Sequence, residues 1–263
     1  MEPAAGSTQG APILVTRGLT KSFRRLTALK NHSVEVRSGE IVGVIGPNGS
    51  GKSTFFNVVT GFQRPNAGTV TFEGREIQHL RAPQIVRLGL ARTFQGTRLF
   101  PRLTVRENLR AAAQLRHRLG FVDAVLGLPR LSAVNTAVDA LTDELLDLID
   151  LSGRADDRAA DLPYGDQRRL ELVRALATRP RLLMLDEPAA GMNATETQSL
   201  LRLIDNIRKR YGLAVIVVEH DMDLIMNLCD RIQVLAYGEI IFEGSPADVQ
   251  ANPKVREVYL GHA

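Results

Sequence analysis

The chain has 263 residues, 44% of them hydrophobic and 24% charged, with 33 basic against 29 acidic side chains for a net charge of +4. That length holds one large α/β domain or two small lobes with a full core, and the composition excludes a disordered or fibrous chain. The small basic excess reads as a solvated surface, with a basic face toward lipid headgroups or acidic partner loops as the alternative, and no nucleic-acid partner is expected.

Met1 to Pro12 has neither a positive start nor an apolar centre, so it reads as a flexible tail rather than a secretory signal. Ile13 and Val15, then Val34 and Val36, sit at period two between polar neighbours, as strands do. After the Ser38-Gly39 turn, Ile41 to Ile45 is a continuous apolar run, the pattern of a buried parallel strand. An apolar helix is predicted from Thr54. The turn Pro65 to Gly68 then leads into strands around Val70–Phe72 and Ile77.

The middle of the chain changes character. Leu109–Leu119 favours helix, Gly120–Leu131 reads as an interruption, and Val134, Val138, Leu141, Leu145 and Ile149 recur at helical spacing. The α/β pattern resumes with a helix over Asp166–Thr178, the strand Leu182–Leu185, a helix over Glu196–Tyr211 and the strand Leu213–Val218. No apolar run approaches the roughly 18–20 residues that cross a bilayer. Cys229, the single cysteine, reads as a small buried thiol; with no partner for a disulfide, an intracellular compartment is expected. Ser245-Pro246 opens a last helix, with a cap residue followed by proline in the first turn.

Two motifs carry chemistry. Gly46-Pro47-Asn48-Gly49-Ser50-Gly51-Lys52-Ser53 fits G-x-x-x-x-G-K-[ST] and stands between an apolar strand and an apolar helix opening at Thr54, the context this motif needs. Its glycines let backbone N–H groups curl around phosphate oxygens, and the helix start adds about half a unit of positive charge. Lys52 places a cation on the β- and γ-phosphates, and Ser53 offers a hydroxyl to Mg²⁺. Far along the chain, the strand Leu182–Leu185 ends in Asp186-Glu187, where a carboxylate pair faces the ligand crevice of an open α/β sheet. Asp186 is expected to hold Mg²⁺ through water, and Glu187 to polarise the attacking water.

Leu162-Pro163-Tyr164-Gly165-Asp166, upstream of Asp186, resembles the signature motif of the ABC ATPase family. The resemblance covers about Ile13 to Leu260 and implies a P-loop NTPase ABC ATPase core with an N-terminal antiparallel β subdomain and an inserted α-helical subdomain. It divides the chain into a tail, 1–12, and a single ATPase domain, 13–263, with the RecA-like core and β subdomain at about 13–94 and 180–263 and the helical subdomain at about 95–179. Gln95 matches the family's Q-loop glutamine, a nucleotide and metal contact. His220 matches its switch histidine, Phe23 the aromatic that stacks on adenine, and Ala190-Gly191-Met192-Asn193 its D-loop, which brings Asn193 to the nucleotide. The implied cofactors are ATP and Mg²⁺, with Glu187, His220 and Lys52 catalytic. His32, His79, His117 and His262 read as surface residues.

The signature loop departs from the family's usual Leu-Ser-Gly-Gly-Gln at Pro163, Tyr164 and Asp166. Together with Arg92-Thr93-Phe94-Gln95, Glu187-Pro188-Ala189-Ala190-Gly191, Val218 to Met222 and the closing Pro253 to Gly261, these words are similar to the ATP-binding subunits of branched-chain amino-acid importers. The resemblance implies peripheral attachment at the cytoplasmic face of the membrane, a second ATPase subunit in a head-to-tail heterodimer, two membrane permeases, and a secreted or periplasmic solute-binding protein. Leu99-Phe100 is expected to lie exposed in a groove between the lobes where permeases dock. Urea or amide import and lipid export remain alternatives. A DNA-repair ATPase needs a long coiled coil between the nucleotide motifs, and the 109 residues between Lys52 and Leu162 hold no sustained heptad.

Overall fold

The computed structural model describes residues 11–116 and 129–260. Most of the tail, the end of the Leu109–Leu119 helix, most of the predicted interruption, His117 and His262 lie outside the described residues.

Two sheets form the frame. The first is antiparallel, in the order β2-β1-β4-β5, from β1 (Leu14–Phe23), β2 (Leu26–Val36), β4 (Ala67–Phe72) and β5 (Arg75–Glu76). The second has the order β10-β9-β3-β8-β7-β6, from β3 (Ile41–Ile45), β6 (Leu90–Arg92), β7 (Leu182–Asp186), β8 (Ala214–Val218), β9 (Arg231–Ala236) and β10 (Glu239–Gly244). Its five strands from β9 to β6 are parallel, and β10 adds to β9 antiparallel at the edge. The apolar runs at β3, β7 and β8 are wholly buried, as strands covered on both faces must be.

Alternation along these strands sorts their side chains into two cores. Ile41, Ile45, Leu183, Leu185, Val215 and Val217 pack on helices α3 (Val105–Ala113), α4 (Pro129–Leu148), α5 (Tyr164–Ala177) and α6 (Ala194–Tyr211). Val42, Val44, Leu182, Met184, Ile216 and Val218 face the antiparallel sheet and Phe55 and Phe56 of α1 (Lys52–Val59). Each such aliphatic side chain removed from water contributes about 1.5–3 kcal/mol. The central sheet is thus fixed from both sides, and the loops at its carboxyl edge, after β3, β7 and β8, sit on a rigid base. No helix among the described residues is long and apolar enough to cross a membrane.

Several expectations change. In β1 Leu14, Thr16 and Leu19 are buried while Val15 is only half-buried, so Val15 falls on the other face, and the buried phase itself changes where the register shifts between Thr16 and Leu19, at Gly18 with φ 61°. The third helix starts at Val105, capped by Thr104 with Glu107 in a reciprocal box, and gives way to a 3₁₀ turn at Gln114. Helix α5 begins at Tyr164, so Asp166 lies inside its first turn. His32 is fully buried in β2, its ring 4.4 Å from that of Phe55. The expectation of a surface histidine fails because β2 turns that face onto α1. Helices α2 (Ala82–Leu88), α7 (Met222–Leu228), α8 (Pro246–Ala251) and α9 (Pro253–Leu260) complete the described chain. Ser245 caps α8 with proline following, and Cys229 is buried, its thiol held in the neutral form by its apolar surroundings.

Candidate functional site

The loop between β3 and α1 takes its shape from glycine. Gly46 and Gly51 have φ of 150° and 110°; a Cβ on Gly46 would lie 2.7 Å from Ser50 Oγ, and one on Gly51 2.5 Å from the Ala28 carbonyl. Gly49, at φ 79°, has open space beside it. Only glycine lets the chain curl this tightly against its neighbours. Lys52 opens α1, and its Nζ donates to the carbonyls of Gly46 at 2.7 Å and Pro47 at 3.0 Å, spanning the loop's own concavity. Burial lowers the Lys52 pKa, against the pull of Glu187 and Asp186. Ser53, exposed, and Thr54, half-buried, occupy the same first turn, with Pro47, Asn48 and Ser50 completing the loop.

Strand β7 delivers the two carboxylates. Asp186 is buried and forms an ion pair with Arg92, from the end of β6, at 2.7 Å. The same guanidinium donates to Asn57 Oδ1 of α1 at 2.7 Å and lies over the rings of Phe56 and Phe94, 5.3 and 4.8 Å from their centroids. Asp186 keeps its second oxygen for other partners. Sequence reading missed this role for Arg92, although a cation ending an otherwise apolar strand, next to the carboxylate strand, is the available signal.

Glu187 departs from β7 with φ 48°, a left-handed conformation that is strained for a non-glycine residue. Its Oε2 accepts from Gln95 Nε2 at 2.9 Å, and its Oε1 meets His220 Nε2 at 2.6 Å. Two residues separated by 125 positions in sequence, 220 minus 95, therefore converge on one carboxylate. Behind them, buried Glu219 accepts from the amides of Ala189 at 2.8 Å and His220 at 3.1 Å; burial raises its pKa against these donors. Glu219 was not predicted and fixes the backbone on which His220 stands.

The remaining predicted residues group separately. Phe23 lies at the end of β1, 42% exposed, with the Lys21 ammonium over its ring. Asn193 accepts from the Glu196 amide and caps α6. Gly165 packs so closely that a Cβ would lie 2.7 Å from Glu196 Oε1. Asp166 pairs with Arg169 and, at 3.8 Å, with Arg154, so its charge is balanced at the helix start. The Tyr164 hydroxyl donates to the Ala190 carbonyl at 2.8 Å.

The residues fit a nucleotide with Mg²⁺. The Gly46–Ser53 loop is a cradle that a Cβ at Gly46 or Gly51 would fill, Ser50 Oγ within it is buried without a partner, and the metal donors offered are hydroxyl and carboxylate oxygens, the hard ligands Mg²⁺ takes. Beside Gln95, two apolar cavities of about 360 and 370 Å³ share Val86, Arg92, Phe94 and Leu115. Phe100 is 51% exposed and lines the first, whereas Leu99 is partly buried against the core, correcting half of that expectation.

Residues 29–190 match the family model described as ABC transporter, and residues 239–263 match one described as branched-chain amino acid ATP-binding cassette transporter. The chain is 42% identical, over 96% of its length and 99% of the relative's, to the high-affinity branched-chain amino acid transport ATP-binding protein LivG of Salmonella typhimurium. It is 40% identical, over the same shares, to the corresponding protein BraF of Pseudomonas aeruginosa. Among solved structures it is similar to an ATP-binding cassette of an ABC transporter in its ADP conformation, with a TM-score of 0.81 and 30% identity over 96% of this chain and 100% of that one.

Proposed function

The chain belongs to the ABC transporter family as an ATP-binding, ATP-hydrolysing subunit, and we propose that it powers the import of branched-chain amino acids at the cytoplasmic face of the membrane. The convergence of Gln95 and His220 on Glu187, beside Lys52, carries the reading. The match at residues 239–263 and the similarity to LivG and BraF support the cargo class.

Each residue has a definite task. The loop amides and Lys52 bind and orient the phosphates. Glu187, held between two side chains, positions a water for in-line attack, and His220 steadies charge at the γ-phosphate. Ser53, Asp186 and Gln95 would hold Mg²⁺, which when bound neutralises charge on the β- and γ-oxygens. Phe23 provides a face for adenine. The loop Pro163 to Asp166 completes the nucleotide site of a second ATPase subunit packed head to tail, a heterodimer in which the two sites differ because this loop lacks the usual serine. Two membrane permeases dock in the apolar groove lined by Phe94, Phe100 and Leu115, and a secreted or periplasmic binding protein delivers the cargo.

Glu187→Gln tests this reading. ATP binding stays near the wild-type level and hydrolysis falls by about 10²–10⁴, the range expected for loss of a positioned acid–base group. Hydrolysis near the original rate would remove Glu187 from its role.

A further inference from the structure

Helix α5 touches the segment after the catalytic carboxylate at both ends. At its first residue, the Tyr164 hydroxyl donates to the Ala190 carbonyl at 2.8 Å, and its ring sits where a Cβ on Gly191 would be 3.2 Å from Cε1. One turn later, Arg168 Nη2 donates to the Glu187 carbonyl at 3.2 Å, with its guanidinium 5.5 Å from the Tyr164 ring centroid. Arg168 is itself held by a buried ion pair with Glu171 at 3.1 Å, and Glu171 accepts from the Arg98 amide, three residues after Gln95. The segment so gripped starts at the strained φ of Glu187 and closes through Ala190 N donating to the Glu187 carbonyl and Met192 N to that of Ala189.

We propose that Tyr164 and Arg168 are positioning residues that strap the signature loop to the 187–192 segment of the same chain. Through them, nucleotide seated against the loop of one site sets the backbone of the base in the other. This rests on the head-to-tail pairing proposed above. Tyr164 is exposed, on the loop assigned above to the partner's nucleotide, while its hydroxyl is committed to Ala190 of its own chain. Movement of the loop on closure is therefore delivered to the peptide next to Gly191 and, through the shared turn, to Glu187. A residue without a side chain at position 164 would leave only the Arg168 bond, at the Glu187 end, and the two ends would move separately.

The test is Tyr164→Phe, which removes one hydroxyl and keeps the ring. In the isolated full-length subunit without nucleotide, amide exchange at Ala190 and Met192 speeds up about fivefold, the equivalent of one hydrogen bond. ATP affinity of that subunit stays as in the wild type, and its thermal midpoint falls by no more than the about 2–4 °C that one hydrogen bond accounts for. In the assembled transporter kcat falls several-fold, KM for ATP changes little, and the Hill coefficient for ATP drops toward 1. Unchanged exchange at Ala190 and Met192 overturns the strap; faster exchange with kcat and Hill coefficient unchanged overturns the link between sites. A thermal midpoint lowered by more than one hydrogen bond accounts for, with an unaltered Hill coefficient, assigns Tyr164 a structural role only, and also overturns it. A wild-type transporter that fails to hydrolyse ATP refutes the functional reading instead, so the two failures are distinct.

Discussion

His32 makes the stability of this protein depend on pH in a defined direction. The ring is fully buried against Phe55, and neither nitrogen has a hydrogen-bond partner of acceptable geometry. Burial lowers its pKa from 6.5 to about 4, with the neighbouring Gln233 amide only partly offsetting that effect. The unfolded chain therefore takes up a proton near pH 6.5 that the folded chain refuses until about pH 4. The folded state has its full margin above pH 6.5 and loses it as the pH falls. With each pH unit worth about 1.4 kcal/mol, the loss is about 2 kcal/mol at pH 5 and approaches 3 kcal/mol near pH 4. His32→Leu removes the titrating group and leaves an apolar side chain in an apolar place. Urea unfolding of the wild type and the variant at pH 7.5, 6 and 5 isolates the effect, because the carboxylates common to both cancel. The variant gains about 2 kcal/mol relative to the wild type between pH 7.5 and 5. A wild-type-minus-variant difference that is flat with pH refutes the reasoning.

Arg92→Met leaves Asp186 buried without its counter-ion and lowers stability by about 3–5 kcal/mol; adding Asp186→Asn recovers part of that loss, measured as the coupling in a double-mutant cycle of urea midpoints. Phe23→Ala lowers affinity for ATP and ADP alike by roughly fivefold if the ring supports the base, about 1 kcal/mol of stacking. Fluorescent-nucleotide titration reads this, and unchanged affinity removes Phe23 from the site.

The sequence by itself determined what short stretches encode. The Gly46–Ser53 loop needs its glycines where φ is positive, whatever surrounds it, and the short continuous apolar runs at β3, β7 and β8 have the length and pattern of strands buried on both faces. Gln95 and His220 were legible through family resemblance, since nothing local marks a lone glutamine or histidine. Tertiary structure alone decided where those parts meet. Arg92 reaches Asp186 because β6 pairs with β7, Glu219 holds the His220 backbone because β8 ends beside the turn after β7, and Tyr164 finds Ala190 because α5 starts there. The phase of β1 changes at a register shift that alternation cannot register, and His32 is buried because another element packs over its face. Periodicity fixes which residues share a face. Only the packing of distant elements fixes what that face meets, and so which charges are paired and which groups resist protonation.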